Sequence, residues 1–247
     1  MHKYMKLLQW NIWYQEDIRN ILSTLREINP DIACLQEMTI DHPDYNKGID
    51  TPRYLAENLG LDHFFKAAHD DPANTFGNAI FSRFPITESN FSFIKESSSP
   101  HGVECDYSDQ GRVYVECLLD AGERKLSVGT THMFYTDKFA PTPSKEAETN
   151  KLIEILSKKK DNFIFTGDLN ALPGSYTINK IQKHLNSAGP NLEQNTWTTK
   201  PFSWNGFTAD TLDWRLDYCF ATPDIQIQSA KIIGTFYSDH LPILLEF

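Results

Sequence analysis

Apolar positions along the chain recur at two different spacings. In "EDIRNILSTLREINP", Ile18, Ile21, Leu22, Leu25 and Ile28 mark one face at helical spacing, and Asn29 with Pro30 ends the pattern. This predicts an amphipathic helix packed on something flat. A second helix is expected from Thr142 and Pro143, with proline in its first turn and Leu152, Ile153, Ile155 and Leu156 ahead of three lysines. A third is expected over Tyr176 to Leu185. Between them lie short apolar runs rich in β-formers: "KLLQWNI", "DIACLQE", "NAIFSR", "RVYVECLL", "KLSVGTTH", "NFIFTGD", "DYCF", "IQSAKIIG" and "PILLEF". Three or four helices cannot serve as crossovers for so many strands in one parallel sheet. Two sheets packed face to face, with helices outside, accommodate them better than the alternative of a single mixed sheet.

Composition narrows this picture. No repeat, low-complexity segment or linker divides the 247 residues, so a single domain over 1–247 is expected. With 40% apolar residues, 16 Phe and 5 Trp, the chain can bury a sizeable core. The formal charge of −10 and pI near 5.2 weigh against holding long duplex DNA on a basic face, but leave room for a short or local phosphate ligand. "MHKYMKLLQWNIW" lacks the apolar core of a signal peptide, and no stretch approaches the roughly 18 apolar residues of a membrane span. A soluble, cytoplasmic monomer is the expectation. Cys34, Cys105, Cys117 and Cys219 form no C-x-x-C pair, and three of them fall inside strand-like runs, so buried free thiols are expected. The run Lys158-Lys159-Lys160 is read as a solvated helix C-terminus.

Several apolar runs finish on a group that can coordinate a metal or move a proton: Asn11, Glu37, His132 and Asp168 with Asn170, to which "YSDHLP" adds Asp239 and His240. Any one of these is the normal polar exit of a strand from a core. If the strands align in sheets, however, the ends converge on one edge and make a carboxylate-rich pocket. Like carboxylates at close range repel and raise one another's pKa unless a cation enters. The available ligands are oxygens, with no cysteine pair and no H-E-x-x-H, which favours Mg²⁺ or Mn²⁺ over zinc. Metal-assisted hydrolysis of a phosphate ester is the reaction class this predicts.

The ordered set "LLQWNI", "ACLQE", "GNAIFSRFPI", "TTHM", "FTGDLNALP", "LDWRLDYCF" and "YSDHLPI" resembles the endonuclease/exonuclease/phosphatase superfamily, from residue 7 to 243. The resemblance implies a DNase I-like four-layer α/β sandwich, with two mixed sheets flanked by helices, and Mg²⁺-dependent cleavage of phosphoester bonds. It casts Glu37 as the principal metal ligand with Asn11 beside it. Asp168 would orient and deprotonate the attacking water, and Asn170 would donate to a phosphate oxygen. Their i, i+2 spacing predicts that both face one ligand from an extended backbone, with Gly167 either leaving room for a close approach or serving packing. His240 takes a phosphate-contacting or acid/base role, Asp217 buttresses it, and Asp239 is a ligand of the metal region or an orienting carboxylate. His132 in "TTHM" places the chain with the histidine-containing phosphodiesterase branches. Arg112 and Asn78 are expected at the phosphate, Trp204 in the substrate cleft and Trp197 in the core.

The substrate stays open between a nucleic-acid end or short single strand and a small phosphorylated molecule such as a nucleotide, inositol phosphate or lipid headgroup. A phosphodiester is favoured over a monoester. A binding module without activity would show substitutions at the metal and base positions, yet Glu37, Asp168, Asn170, Asp217, Asp239 and His240 are all present. Specificity is expected in four loops: "MTIDHPDYNKGIDTPR", "AHDDPANTFG", "KESSSPHGVECDYSDQG" and "MFYTDKFAPTP".

Overall fold

The computed structural model describes residues 4–68, 75–97, 110–122, 124–204 and 206–247. Its first half contains β1 (Lys6–Asn11), α1 (Ile18–Ile28), β2 (Ile32–Ile40), α2 (Thr51–Leu59), β3 (Asp62–Ala67), β4 (Thr75–Ser82), β5 (Ile86–Lys95) and β6 (Arg112–Asp120). There follow β7 (Lys125–His132), α3 (Pro143–Leu156), β8 (Phe163–Asp168), α4 (Tyr176–Ile181), β9 (Asn186–Ser187), β10 (Phe202–Trp204), β11 (Phe207–Ala209), β12 (Asp217–Ala221), β13 (Ser229–Ile232) and β14 (Ile243–Glu246). One six-stranded sheet has the order β13-β14-β1-β2-β4-β3 and the other β5-β6-β7-β8-β12-β9, while β10 and β11 form a separate hairpin.

Alternation along the strands assigns each face. Leu7, Cys34, Ile80, Val115, Val128 and Ile164 meet between the sheets. The intervening Leu8, Trp10, Leu35 and Phe81 pack under Ile18, Ile21 and Leu25 of α1 and Leu55 of α2. On the opposite side Phe163, Phe165 and Phe220 pack under Leu152 and Leu156 of α3 and Ile178 and Ile181 of α4. The result is the expected four layers: helices, sheet, sheet, helices. β8 is buried on both faces, which is why it reads as a continuous apolar run rather than an alternating one.

Helix ends follow local chemistry. Asp17 caps α1, accepting from the Arg19 backbone, and Thr142 caps α3 with Pro143 in the first turn. α2 was not anticipated: its first turn falls at the end of the expected specificity loop "MTIDHPDYNKGIDTPR", capped by Asp50 ahead of Pro52, and the helix runs on to Leu59. Cys34, Cys117 and Cys219 are buried and free, and Cys105 lies outside the described residues. Lys159 is not merely solvated but pairs with Glu116 at 2.5 Å. Among the described residues, no helix is long and apolar enough to cross a membrane.

Two parallel pairs position the site. β1 runs parallel to β2 in one sheet and β7 parallel to β8 in the other, so their C-terminal ends lie at a common edge. β12 runs antiparallel to β8 and begins at that same edge, with Asp217 opposite Asp168.

Candidate active site

Asn11 joins the two sheets. Its Nδ2 donates to Glu37 Oε1 and to Asp168 Oδ2, each at 3.0 Å. Asp168 is 1% exposed, and its Oδ2 also lies 3.3 Å from His132 Nε2 and 3.5 Å from His240 Nε2. The register places His132 directly opposite Asp168. One carboxylate oxygen is thus faced by an amide and two imidazoles from three different segments.

Two ends differ from the sequence expectation. β2 does not stop at Glu37 but continues to Ile40, through a register shift between Gln36 and Met38. In a regular strand Gln36 and Glu37 would face opposite sides; the bulge, with Glu37 at φ 63°, turns the carboxylate toward the site as well. Asp168 and Asn170 do not face one ligand from an extended backbone. Asn170 is left-handed, at φ 43°, with its N–H donating to Asp168 Oδ1 at 3.0 Å, and asparagine is among the few residues that tolerate this conformation. Its side-chain Nδ2 lies 3.0 Å from Met133 O and 3.1 Å from His132 Nε2. Gly167 makes room for protein rather than ligand: a Cβ there would sit 2.3 Å from Thr131 O on the neighbouring strand.

Polar groups between the sheets support the site from beneath. Asp217 Oδ2 bonds His240 Nδ1 at 2.8 Å, and its Oδ1 lies 3.4 Å from Gln9 Nε2. Gln9 and Gln36 bond each other, and Gln36 Nε2 donates to Thr130 Oγ1 at 2.9 Å. Ser238 Oγ donates to Asn11 O at 2.7 Å and accepts from His240 N at 3.0 Å. Asp239 Oδ2 accepts from Trp197 Nε1 at 3.0 Å, whereas its buried Oδ1 has no hydrogen-bond partner among the described residues.

Burial pushes Glu37 up to about 7, reinforced by the charge of Asp239. Burial also raises Asp168 to about 6, with Asp217 adding to the rise and His240 and Asn11 opposing it. Asp239 is raised for the same first reason. His240 goes the other way: burial alone would lower it, but Asp217, Asp168 and Asp239 together hold it well above its ordinary value. His132 is pushed well below, by burial first and then by Arg112, His240 and Lys145, so it is neutral near pH 7.

Glu37 and Asp239, with Asn11 beside them, form an oxygen-rich set whose raised carboxyls and unpartnered Asp239 oxygen suit a hard divalent cation. A second group, Asp168, Asp217 and His240, has ligand atoms within 4.8 Å of one another and could also hold a metal. There the 2.8 Å Asp217–His240 bond already engages two of the three.

A cavity of about 320 Å³ opens over these groups. Its lining includes the packed rings of Tyr14, His42 and Phe76, those of Tyr135, Trp197 and Phe202, and also Trp13, Gln110 and Arg112. Each of the four loops singled out for specificity supplies one lining residue: His42, Phe76, Gln110 and Tyr135. Residues 69–74 and 98–109 of those loops lie outside the described residues. Arg112 lines the cavity, but Asn78 and Trp204 are not among the described lining residues. Asn78 spends its amide on Val113 O at 2.8 Å, and Trp204 sits 39% exposed on the β10–β11 hairpin. Trp197, expected only in the core, both packs there and holds Asp239. Sequence reasoning also missed the Tyr14 backbone N–H, which donates to Glu37 Oε2 at 3.0 Å, and the Gln9–Gln36 support. Gln9 was legible, since it shares a strand face with Asn11 two residues on.

The endonuclease/exonuclease/phosphatase family model matches residues 8–240. No curated protein matches the sequence at a significant level. Among solved structures, the fold is similar to an endonuclease/exonuclease/phosphatase from Bacteroides vulgatus, with TM-score 0.72, 16% identity, and 99% of this chain and 98% of that one covered. It is also similar to the human Nocturnin catalytic domain with bound sulfate, with TM-score 0.69, 21% identity, and coverage of 100% and 94%. A third is the mannosyl-6-phosphatase of Bacteroides thetaiotaomicron, with TM-score 0.68, 16% identity, and 98% of each chain covered. At these identities the structures speak to fold, and the match over residues 8–240 speaks to family: the chain belongs to the endonuclease/exonuclease/phosphatase family of phosphoric ester hydrolases.

Proposed function

We propose that the protein hydrolyses a phosphoester by direct attack of water, using Mg²⁺ or Mn²⁺ held by Glu37 and Asp239; Asn11, expected as a further ligand, instead orients Glu37 through its Nδ2 while its Oδ1 accepts from Trp13 N at 3.0 Å. The observation that carries this reading is Asp168: a buried carboxylate with Asn11, His132 and His240 all within 3.5 Å of one oxygen. A bound cation would neutralise the carboxylates and draw charge from a phosphate oxygen. Asp168 orients the water and takes its proton, and its rise to about 6 suits a base working near neutral pH. Asn170 stays anchored on Met133 O through one N–H and presents the other to a phosphate oxygen in place of His132 Nε2. His240, held charged by Asp217, donates to the phosphate or to the departing oxygen as the bond to phosphorus breaks. Arg112 supplies a fixed positive charge at the cavity wall.

A phosphodiester is the first reading of the substrate. Phosphomonoester hydrolysis is the second, favoured by the modest cavity of about 320 Å³, which suits a small phosphorylated molecule, and by the similarity of fold to a mannosyl-6-phosphatase. The net charge of −10 supports a small ligand or a nucleic-acid end over duplex DNA. The test is a panel of mononucleotides, abasic DNA, 5′-tyrosyl oligonucleotides, inositol phosphates and sphingomyelin, assayed with Mg²⁺, Mn²⁺ and EDTA. Turnover of one class should vanish in EDTA and return with Mg²⁺. Undiminished turnover in EDTA would contradict the mechanism.

A further inference from the structure

Behind the strand ends lies a buried ion pair with no part in the proposed chemistry. Lys145 and Glu148, 5% and 2% exposed, lie one turn apart on α3 with Nζ 3.6 Å from Oε2. Lys145 Nζ donates to two backbone carbonyls, Phe134 O and Leu169 O, both at 2.8 Å. Glu148 Oε1 accepts from Phe134 N at 3.2 Å. A buried charge pair is seldom more stabilising than apolar side chains of similar volume, so stability does not explain its presence beside the apolar α3–α4 layer.

What the pair holds is informative. Leu169 is the residue between Asp168 and Asn170. Its N–H donates to Leu216 O at 2.9 Å and its carbonyl accepts from Lys145, so both ends of the residue are tied. Asn170, next along, is left-handed, and its side chain reaches Met133 O, which adjoins Phe134. Met133 N in turn donates to Asp168 O at 2.9 Å. The ammonium therefore ties the segment carrying His132 to the segment carrying Asp168 and Asn170, and Lys145 is not itself a described lining residue of the cavity.

We propose that Lys145 is a positioning residue for hydrolysis, clamping the carbonyls of Leu169 and Phe134 so that Asp168 and Asn170 keep the geometry the reaction needs. This rests on the roles proposed above for those two residues. A displacement of about 1 Å at a reacting group costs about 10²-fold in rate, so a loosened clamp acts on turnover more than on substrate binding.

The test is the double variant Lys145→Met with Glu148→Gln, which removes both charges while leaving an acceptor for Phe134 N–H. Expected are cooperative unfolding like the wild type, kcat lower by about 10²-fold, KM within about threefold, and a displaced side-chain amide resonance of Asn170 in ¹H–¹⁵N spectra. Wild-type kcat with an unmoved Asn170 resonance would overturn the proposal. Failure of the double variant to fold would also overturn it, by assigning the pair to stability. An Asp168→Asn control separates the two claims. If that variant remains active, the hydrolytic reading fails and the Asn170 resonance alone judges the clamp; if it is inactive while the double variant is not, only the clamp fails.

Discussion

Glu37, Asp168 and Asp239 share one buried neighbourhood, and burial lifts all three carboxyls above their ordinary range, to about 7 for Glu37 and about 6 for Asp168. The native state therefore holds more protons than the unfolded chain between the ordinary values of 4.5 for Glu37 and 3.8 for Asp168 and these raised ones, and metal-free protein should lose stability as pH rises through that window. His240 has the same sign: raised above 6.5, its contribution is complete below that pH and is lost as pH climbs through the folded value. A divalent cation competes with protons for the carboxylates. Thermal stabilisation by Mg²⁺ should accordingly be small at about pH 5.5 and larger at about pH 8, and Glu37→Gln should flatten the difference. Equal Mg²⁺ shifts at both pH values in the wild type would contradict a cation held by Glu37. Glu37 and Asp168 were legible in the sequence because each follows an apolar run, and Asp239 because "YSDHLP" sets it beside His240. Their directions were not, because Glu37 and Asn170 are turned by left-handed backbone that no period-2 pattern encodes.

At the scale of elements, the β7–β8 pairing sets His132 opposite Asp168, and that pairing depends on Gly167. A Cβ at Gly167 would lie 2.3 Å from the Thr131 backbone oxygen, which has no flexible end to move aside. Gly167→Ala should destabilise the fold by about 1–3 kcal/mol in a urea titration, as overpacking does, and should lower activity by separating the two strands. A variant with unchanged stability would show that the strands can part freely. α1 and α3 were legible from apolar spacing and caps. α2 was not: it is short, flanked by polar loop, and its start signal of Asp50 and Pro52 has few apolar positions behind it. β5 was missed because six of its ten residues in succession are exposed, which leaves no alternation to detect.

Across the whole molecule, the two-sheet sandwich was implied by an excess of strands over helices, and the parallel pairs β1–β2 and β7–β8 deliver the reactive ends to one edge. Tertiary placement remained hidden where a residue's work depends on distant partners. Asn78 bonds a carbonyl of the facing sheet, Trp197 serves both the core and Asp239, and Lys145 reads in sequence as an ordinary surface position of a helix but is 5% exposed. Asp168, as the proposed base of a cation-dependent hydrolysis, is where these elements converge. The most direct test compares initial rates of bis(p-nitrophenyl) phosphate hydrolysis, or of the substrate identified from the panel, for wild type and Asp168→Asn at saturating Mg²⁺. A loss of at least about 10²-fold is predicted, with Mg²⁺-dependent stabilisation retained; a variant rate close to wild type would contradict the account.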